Sequence, residues 1–254
     1  MTMKTIETPK CVHMFKPNPE ADLRVFCFHH AGGHANVFCH WHQSLPTTLD
    51  IVGVQLPGRM ELSSIAPFAD LPPLVNYLYH NLLPYLTAKP FVFLGHSLGG
   101  LICFEIARLL EKQGHIGPKK LIIAACQSPR GNRKRHQVAN VSHDALINKL
   151  LEFNYTSREV LECDELMQFL IPIIRADFSI NESYQYVEAK LLNCPIFVYG
   201  GQEDTITLQH ELKGWALETA KTFHLRLFAG GHFFINNGSF EFFDTLSRDL
   251  LEQL

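Results

Sequence analysis

The chain has 254 residues, a hydrophobic content of 46% and a net charge of −3 at pH 7. This length and composition suit one large core, so we expect residues 1–254 to form a single domain, and the charge gives no overall bias toward nucleic acid. The first residues contain no apolar leader, and no later stretch approaches the roughly 18 apolar residues that a membrane helix requires. The sequence therefore predicts a cytoplasmic protein that does not bind membranes.

The seven cysteines are scattered singly, without the short paired spacings of a metal site or redox motif. Cys27 and Cys126 lie in apolar, strand-like runs, where a reduced cysteine packs as a small hydrophobic residue. No cysteine stands in a glycine-flanked turn, so we do not expect a cysteine nucleophile.

Apolar runs predict six strands, and helical patterns fall between most of them. The predicted strands are Arg24–His29, Asp50–Gln55, Phe91–Leu94, Leu121–Cys126, Ile196–Tyr199 and Phe223–Phe228. This alternation is typical of the α/β class, in which a mostly parallel sheet carries helices on both faces. Ligands are then expected at the carboxyl ends of the strands.

The alternation stops between Cys126 and Ile196, where helical spacing continues without a clear strand. We expect a helical lid insertion at about residues 130–190. Its central part, Val141 to Tyr186, is predicted to be mobile and to cover the ligand pocket with its apolar face. The apolar residues assigned to that face are Leu146, Leu150, Leu166, Phe169 and Ile173.

The segment "GHSLGG" places Ser97 between a predicted strand and a predicted helix. A serine on such a sharp turn projects its hydroxyl away from the backbone, and the amino end of the helix points at the same place. Gly95 and Gly99 suit this turn because the strand and helix backbones approach closely there. Ser97 is therefore the predicted nucleophile.

A serine nucleophile needs a base, and the base needs an acid that fixes its tautomer. His232 follows the last predicted strand in "FAGGHFF", and it is the predicted base. In "GGQED", after the preceding strand, Asp204 is preferred over its neighbour Glu203 as the acid. Asp177 in "RADF" is a third candidate, although it lies within the predicted lid.

The oxyanion of an acyl-transfer intermediate needs two backbone N–H donors. Leu98, which follows the nucleophile, is one predicted donor, and the loop "HHAGG" provides the other. In that loop Ala31 is the preferred donor, with His30 as the alternative.

A histidine-rich region could suggest a metal site. It comprises His29, His30, His34, His40 and His42. The spacings are not those of a zinc helix with a matching carboxylate or cysteine, and no phosphate-binding glycine loop or dinucleotide fingerprint follows a strand. We expect no metal and no cofactor.

With "FCFHHAGG", "QLPGR", "GHSLGG", "RADF" and "GGHFF" in this order, the chain resembles the type II thioesterases of polyketide and nonribosomal peptide synthesis over nearly its whole length. The resemblance implies an α/β-hydrolase fold with a helical lid. It also implies hydrolysis of acyl groups from the phosphopantetheine arm of an acyl or peptidyl carrier protein, which would be a transient partner. We expect the enzyme to be a monomer. Ser97, Asp204 and His232 fall on the family's triad, and Ala31 and Leu98 on its oxyanion hole.

Three residues depart from the family's usual pattern. His29 stands in place of proline, Met60 in place of glutamate and Leu98 in place of methionine. His29 and Met60 flank the predicted mouth of the pocket, so they bear on acyl preference more than on the reaction.

Other functions use the same machinery or lack turnover. A carboxylesterase for small esters or lipids, and a thioesterase for acyl-coenzyme A, need the same triad, whereas a hydrolase-like binding protein would have no activity.

The run "RGNRKRHQ" bears on the partner, because Arg130, Arg133, Lys134 and Arg135 could dock an acidic carrier protein. The alternative is a solvated surface loop.

Overall fold

The computed structural model describes residues 11–130, 133, 137–153 and 158–252. Its centre is a sheet of seven strands: β1 (Val12–Met14), β2 (Leu23–Phe28), β3 (Leu49–Val54), β4 (Phe91–His96), β5 (Leu121–Ala124), β6 (Ile196–Gly201) and β7 (Phe223–Phe228). The strand order is β1-β3-β2-β4-β5-β6-β7, and only β1 runs antiparallel to its neighbour. The predicted α/β class with a mostly parallel sheet is confirmed.

Seven α-helices accompany the strands in the described part of the chain. They are α1 (Leu71–Leu86), α2 (Leu98–Lys112), α3 (His143–Glu152), α4 (Arg158–Leu161), α5 (Asp164–Ser183), α6 (Gln209–Leu212) and α7 (Phe240–Leu251). None of these helices is both long and apolar enough to cross a membrane.

Alternating strand residues divide the core between the two faces of the sheet. Phe26 and Phe93 contribute to the cluster that α1 and α2 cover. Val25 and Leu94, one position along, belong to the opposite cluster, where α7 contributes residues such as Phe242. Because successive strand side chains point to opposite faces, continuous apolar runs are what a sheet covered on both sides requires.

The strands begin or end within two residues of their predicted limits. β4 continues to His96 because Gly95 and His96 pair with β5, and β5 stops at Ala124 because Ala125 has φ 48°, outside the extended region. Strand β1 is not predicted by the sequence pattern, because its three residues are too few to show a period.

Helices α3, α4 and α5 lie between β5 and β6 and supply the helical insertion. Leu146, Leu150 and Ile174 from these helices join the cluster on the α1 and α2 face. The insertion is thus part of the main core, and its description as a lid on a single domain stays a prediction.

Candidate active site

Ser97 stands at a sharp turn between β4 and α2, with φ 54° and ψ −116°. A Cβ atom on Gly95 would lie 2.3 Å from the carbonyl group of Gly99, and one on Gly99 would lie 2.2 Å from the carbonyl oxygen of Phe28. No side chain fits at these contacts between backbones, so both glycines are required for the turn. The positive φ of Ser97 is a strained conformation of the kind found at functional sites.

The three predicted triad residues lie in one hydrogen-bonded line. The Nε2 atom of His232 lies 3.0 Å from the Oγ atom of Ser97, and its Nδ1 atom lies 2.9 Å from Oδ2 of Asp204. A carboxylate only accepts, so Nδ1 carries the proton and Nε2 can accept the hydroxyl proton of the serine. This is the arrangement that activates a serine hydroxyl.

The Asp204 carboxylate is buried and held by further donors. Its Oδ1 atom accepts from the backbone N–H groups of Ile206, at 2.8 Å, and Thr207, at 2.9 Å. Burial favours the neutral carboxyl, but the hydrogen bond and charge of His232 and these two N–H groups outweigh it, so the pKa of Asp204 is lowered. Asp204 is therefore ionised at neutral pH.

The loops after β6 and β7 are joined by backbone hydrogen bonds. Gln202 donates to the carbonyl of Phe228 at 2.8 Å, and Glu203 donates to that of Gly230 at 3.0 Å. These bonds fix the loop that carries Asp204 against the loop that carries His232. The distance between acid and base is thus set by the backbone.

His96 also belongs to the site, although the sequence motifs did not single it out. It is fully buried, and its Nε2 atom donates to the backbone carbonyl of His232 at 2.8 Å. Burial, together with the nearby His232, lowers the pKa of His96 to about 3, so the ring stays neutral. A buried polar side chain needs a hydrogen-bond partner, so a histidine directly after a buried apolar strand and next to Ser97 is a signal that could have pointed to His96.

A small cleft of about 40 Å³ opens beside Ser97. Ala31 and Leu98, the predicted oxyanion donors, line it together with His30, Ser97 and His232. Leu98 opens α2, where the first N–H groups have no acceptor within the helix. Both residues therefore border the cleft beside Ser97, and their role as oxyanion donors stays a prediction.

Ala31 lies in a tight turn. The N–H of Gly33 donates to the carbonyl of His30 at 3.1 Å, and Gly32, the third residue of the turn, has φ 65°. A glycine suits that position because other residues rarely adopt a positive φ.

The two alternative acids are placed differently from Asp204. Glu203 is exposed, whereas Asp177 is buried and forms an ion pair with Arg59 at 2.6 Å. Neither carboxylate has a hydrogen bond to His232. The geometry favours Asp204 as the acid.

The apolar face predicted for the insertion is partly wrong. Leu146, Leu150 and Ile173 are buried, but Leu166 is 48% exposed and Phe169 is 76% exposed. The residues of this segment that line the cleft are instead Phe153, Phe178 and Asn181. A helical period identifies an apolar stripe but not the surface that the stripe meets.

Two cations of the predicted docking loop are used within the chain. Arg130 pairs with Glu218 at 2.9 Å and donates to the hydroxyl of Tyr186 at 2.8 Å. Arg133 donates to the carbonyl of Gln127 at 2.8 Å and to Oδ1 of Asn181 at 2.7 Å. Lys134 and Arg135 lie outside the described residues. The docking hypothesis therefore no longer rests on Arg130 and Arg133.

The histidines that suggested a metal site differ in their surroundings. His30 faces the cleft and His29 bonds the carbonyl of His30 at 2.8 Å, whereas His40 is exposed. Within the described ranges, the structure contains no group of three histidine, cysteine, aspartate or glutamate side chains that could hold a metal ion.

Comparison with known proteins identifies the family of the chain. A family model for the thioesterase domain matches residues 23–250. Gramicidin S biosynthesis protein GrsT of Aneurinibacillus migulanus is 32% identical, over 92% of this chain and 91% of its own length.

Two solved structures are also similar to the chain. The type II thioesterase BorB from the borrelidin biosynthetic cluster has a TM-score of 0.85 and 30% identity, and the alignment covers 94% of this chain and 97% of BorB. YbtT, a type II thioesterase from the yersiniabactin NRPS/PKS pathway, has a TM-score of 0.85 and 26% identity, and the alignment covers 94% of this chain and 98% of YbtT. From the family match and these relatives, the chain belongs to the thioesterase family, as a type II thioesterase with the α/β-hydrolase fold.

Proposed function

We propose that this thioesterase releases acyl groups from the phosphopantetheine arm of a carrier protein, using Ser97, His232 and Asp204 as its catalytic triad. The observation that carries the proposal is the line of hydrogen bonds from Asp204 through His232 to Ser97, at 2.9 Å and 3.0 Å. Relatives that belong to biosynthetic clusters support the carrier-bound substrate.

The proposed reaction has two halves. Ser97 Oγ attacks the thioester carbonyl while His232 Nε2 takes the hydroxyl proton, and the oxyanion accepts hydrogen bonds from the N–H groups of Ala31 and Leu98. The carbon–sulfur bond then breaks, and the proton on His232 passes to the pantetheine thiolate. In the second half His232 deprotonates a water molecule, which hydrolyses the acyl-enzyme to the free acid and restores Ser97.

The proposed chemistry needs no cofactor, because the triad supplies the nucleophile and base, and backbone N–H groups stabilise the oxyanion. The carrier protein is a transient partner that delivers the acyl group to a monomeric enzyme. The cleft that would receive the acyl chain is bordered by Phe153 and Phe178, and these apolar rings suit a hydrocarbon chain.

Turnover of three substrates tests the proposal: an acyl-loaded carrier protein, the same acyl group on coenzyme A, and its nitrophenyl ester. We expect the highest kcat/KM on the carrier protein. Equal or higher values on coenzyme A would favour an acyl-coenzyme A thioesterase, and a preference for the nitrophenyl ester would favour a carboxylesterase.

Ser97→Ala tests the nucleophile. We expect it to reduce turnover by several orders of magnitude, because members of a triad act as a unit. Ser44→Ala is the matched control, since Ser44 is exposed and lies outside the site. Wild-type rates in Ser97→Ala, or a fluorophosphonate label on another residue, would refute the assignment.

A further inference from the structure

We propose that Asp177 is a positioning residue that holds the oxyanion loop, His30 to Gly33, in its catalytic conformation. This role rests on the proposed function, because it concerns the loop that carries the proposed donor Ala31. Asp177 belongs to α5, 145 residues from the glycine that it contacts. The contact therefore links the helical insertion to the site of oxyanion stabilisation.

The Asp177 carboxylate binds the loop directly. Its Oδ2 atom accepts from the backbone N–H of Gly32 at 2.6 Å, and the side chain is almost fully buried. Gly32 follows Ala31, so the peptide plane between them bears both the carbonyl of Ala31 and the N–H that Asp177 holds. Fixing this plane limits rotation at Ala31, whose own N–H is the proposed donor.

Arg59 fixes the carboxylate in turn. Its Nη1 and Nη2 atoms donate to the two oxygens of Asp177 at 2.6 Å and 2.8 Å, which is the bidentate geometry that constrains both partners. Nη1 also donates to the carbonyl of Gly33 at 3.2 Å, and Nη2 to the carbonyl of Pro57, also at 3.2 Å. The oxyanion loop is thus held at Gly32 by Asp177 and at Gly33 by Arg59.

The loop needs such support because its own sequence is permissive. Gly32 has φ 65°, and a glycine in this region can leave it at little cost. An oxyanion hole acts only when its donors are held in place before the reaction, and a displacement of about 1 Å can reduce the rate about 100-fold. Two charge-assisted contacts on consecutive residues, Gly32 and Gly33, provide this restraint.

The same helix also shapes the cleft. Phe178, next to Asp177, and Asn181, one turn further on, both line the space beside Ser97. Asp177 therefore fixes the part of α5 that borders the substrate at the same time as it fixes the oxyanion loop.

Asp177→Asn is the primary test. The amide keeps one oxygen for Gly32 but loses the charge that holds Arg59, so we expect kcat per active site to fall about 10- to 100-fold with little change in KM. Active sites are counted by fluorophosphonate labelling, so that misfolded protein does not enter the rate. Affinity for an alkyl trifluoromethyl ketone, whose adduct with serine carries an oxyanion, should fall by the same factor.

Asp50→Asn is the matched control. Asp50 is equally buried and pairs with Arg24 at 2.9 Å, but both residues lie at the amino ends of their strands, opposite the site. This variant should lose stability and retain wild-type kcat per active site and ketone affinity. If Asp177→Asn behaves in the same way, the positioning role is refuted.

The double variant Arg59→Met/Asp177→Leu separates stability from catalysis should the single variant fold poorly. Replacing a buried ion pair by apolar residues of similar volume is often neutral or stabilising, so we expect a better-folded protein whose ketone affinity remains low. Recovery of both stability and ketone affinity in the double variant would overturn the proposal. If Ser97→Ala retains the wild-type rate, the proposed function itself is refuted. This result distinguishes failure of the proposed function from failure of the positioning role.

Discussion

Replacing Asp204 by asparagine should reverse the proton positions on His232. The Oδ1 atom of Asp204 is fixed by the N–H groups of Ile206 and Thr207, at 2.8 Å and 2.9 Å, and only an oxygen can accept from them. The amide NH₂ of asparagine must then take the place of Oδ2, 2.9 Å from Nδ1 of His232. Nδ1 becomes an acceptor, the proton moves to Nε2, and the histidine can no longer accept the proton of Ser97.

The magnitude follows from the loss of the base. In serine proteases the equivalent tautomer change lowers kcat about 10⁴-fold, which corresponds to about 5 kcal/mol of transition-state free energy at about 1.4 kcal/mol per tenfold change. We expect a loss of kcat of this order for Asp204→Asn with a small change in KM. The assay is release of thiol from an acyl-pantetheine thioester.

The matched control is Glu203→Gln, because Glu203 is adjacent but exposed. Its kcat should stay within about twofold of the wild-type value, as is usual for a surface change away from the site. The reasoning is refuted if Asp204→Asn keeps more than about a tenth of the wild-type kcat, or if Glu203→Gln is the impaired enzyme.

Three other predictions concern stability and reactivity. Burial lowers the pKa of His96 to about 3, whereas an unfolded histidine has a pKa near 6.5. Below about pH 6.5 the unfolded state therefore binds a proton that the folded state does not, and the unfolding free energy falls by about 1.4 kcal/mol per pH unit for this group. Equal stability in urea titrations at pH 7.5 and pH 5 would contradict this prediction. Gly99→Ala should prevent folding, because the new Cβ atom would clash with the Phe28 carbonyl. Gly114→Ala is the control: the space around its Cβ position is open, so only its positive φ should lower the unfolding free energy, by about 1 kcal/mol. Denaturant titration measures both effects. Iodoacetamide should leave turnover unchanged. Cys126 lines the cleft, but burial raises the pKa of its thiol, so little of the reactive thiolate is present. Loss of activity together with alkylation of Cys126, detected by mass spectrometry, would refute this prediction.

Local patterns carried most of the information about the fold and the triad. Continuous apolar runs predict strands buried on both faces, and chemistry-bearing residues directly after such strands must meet at one edge of the sheet. Ser97, Asp204 and His232 follow three different strands, and the structure brings them into one line. These relationships depend on strand direction, because the carboxyl ends of parallel strands lie at one edge of the sheet.

Contacts between distant segments could not be derived in this way. Asp177 and Arg59 are 118 residues apart, and only the folded chain shows that each carboxylate oxygen faces a guanidinium nitrogen. The ion pair of Arg130 with Glu218 could not be derived for the same reason, because Glu218 lies 88 residues further along the chain. A composition count registers the charges present and cannot tell which of them neutralise each other within the chain.

The contact between Gly99 and the Phe28 carbonyl has a consequence for how the substrate range of this enzyme can change. It fixes the spacing between the nucleophile turn and the strand leading into the oxyanion loop through main-chain atoms alone. The cleft beyond them is bordered by side chains such as Phe153, Phe178 and Ile206, which belong to other segments. Substitutions at those three positions can therefore reshape the space for an acyl chain while this spacing stays constant, so acyl selectivity can diverge without a matching loss of hydrolytic rate.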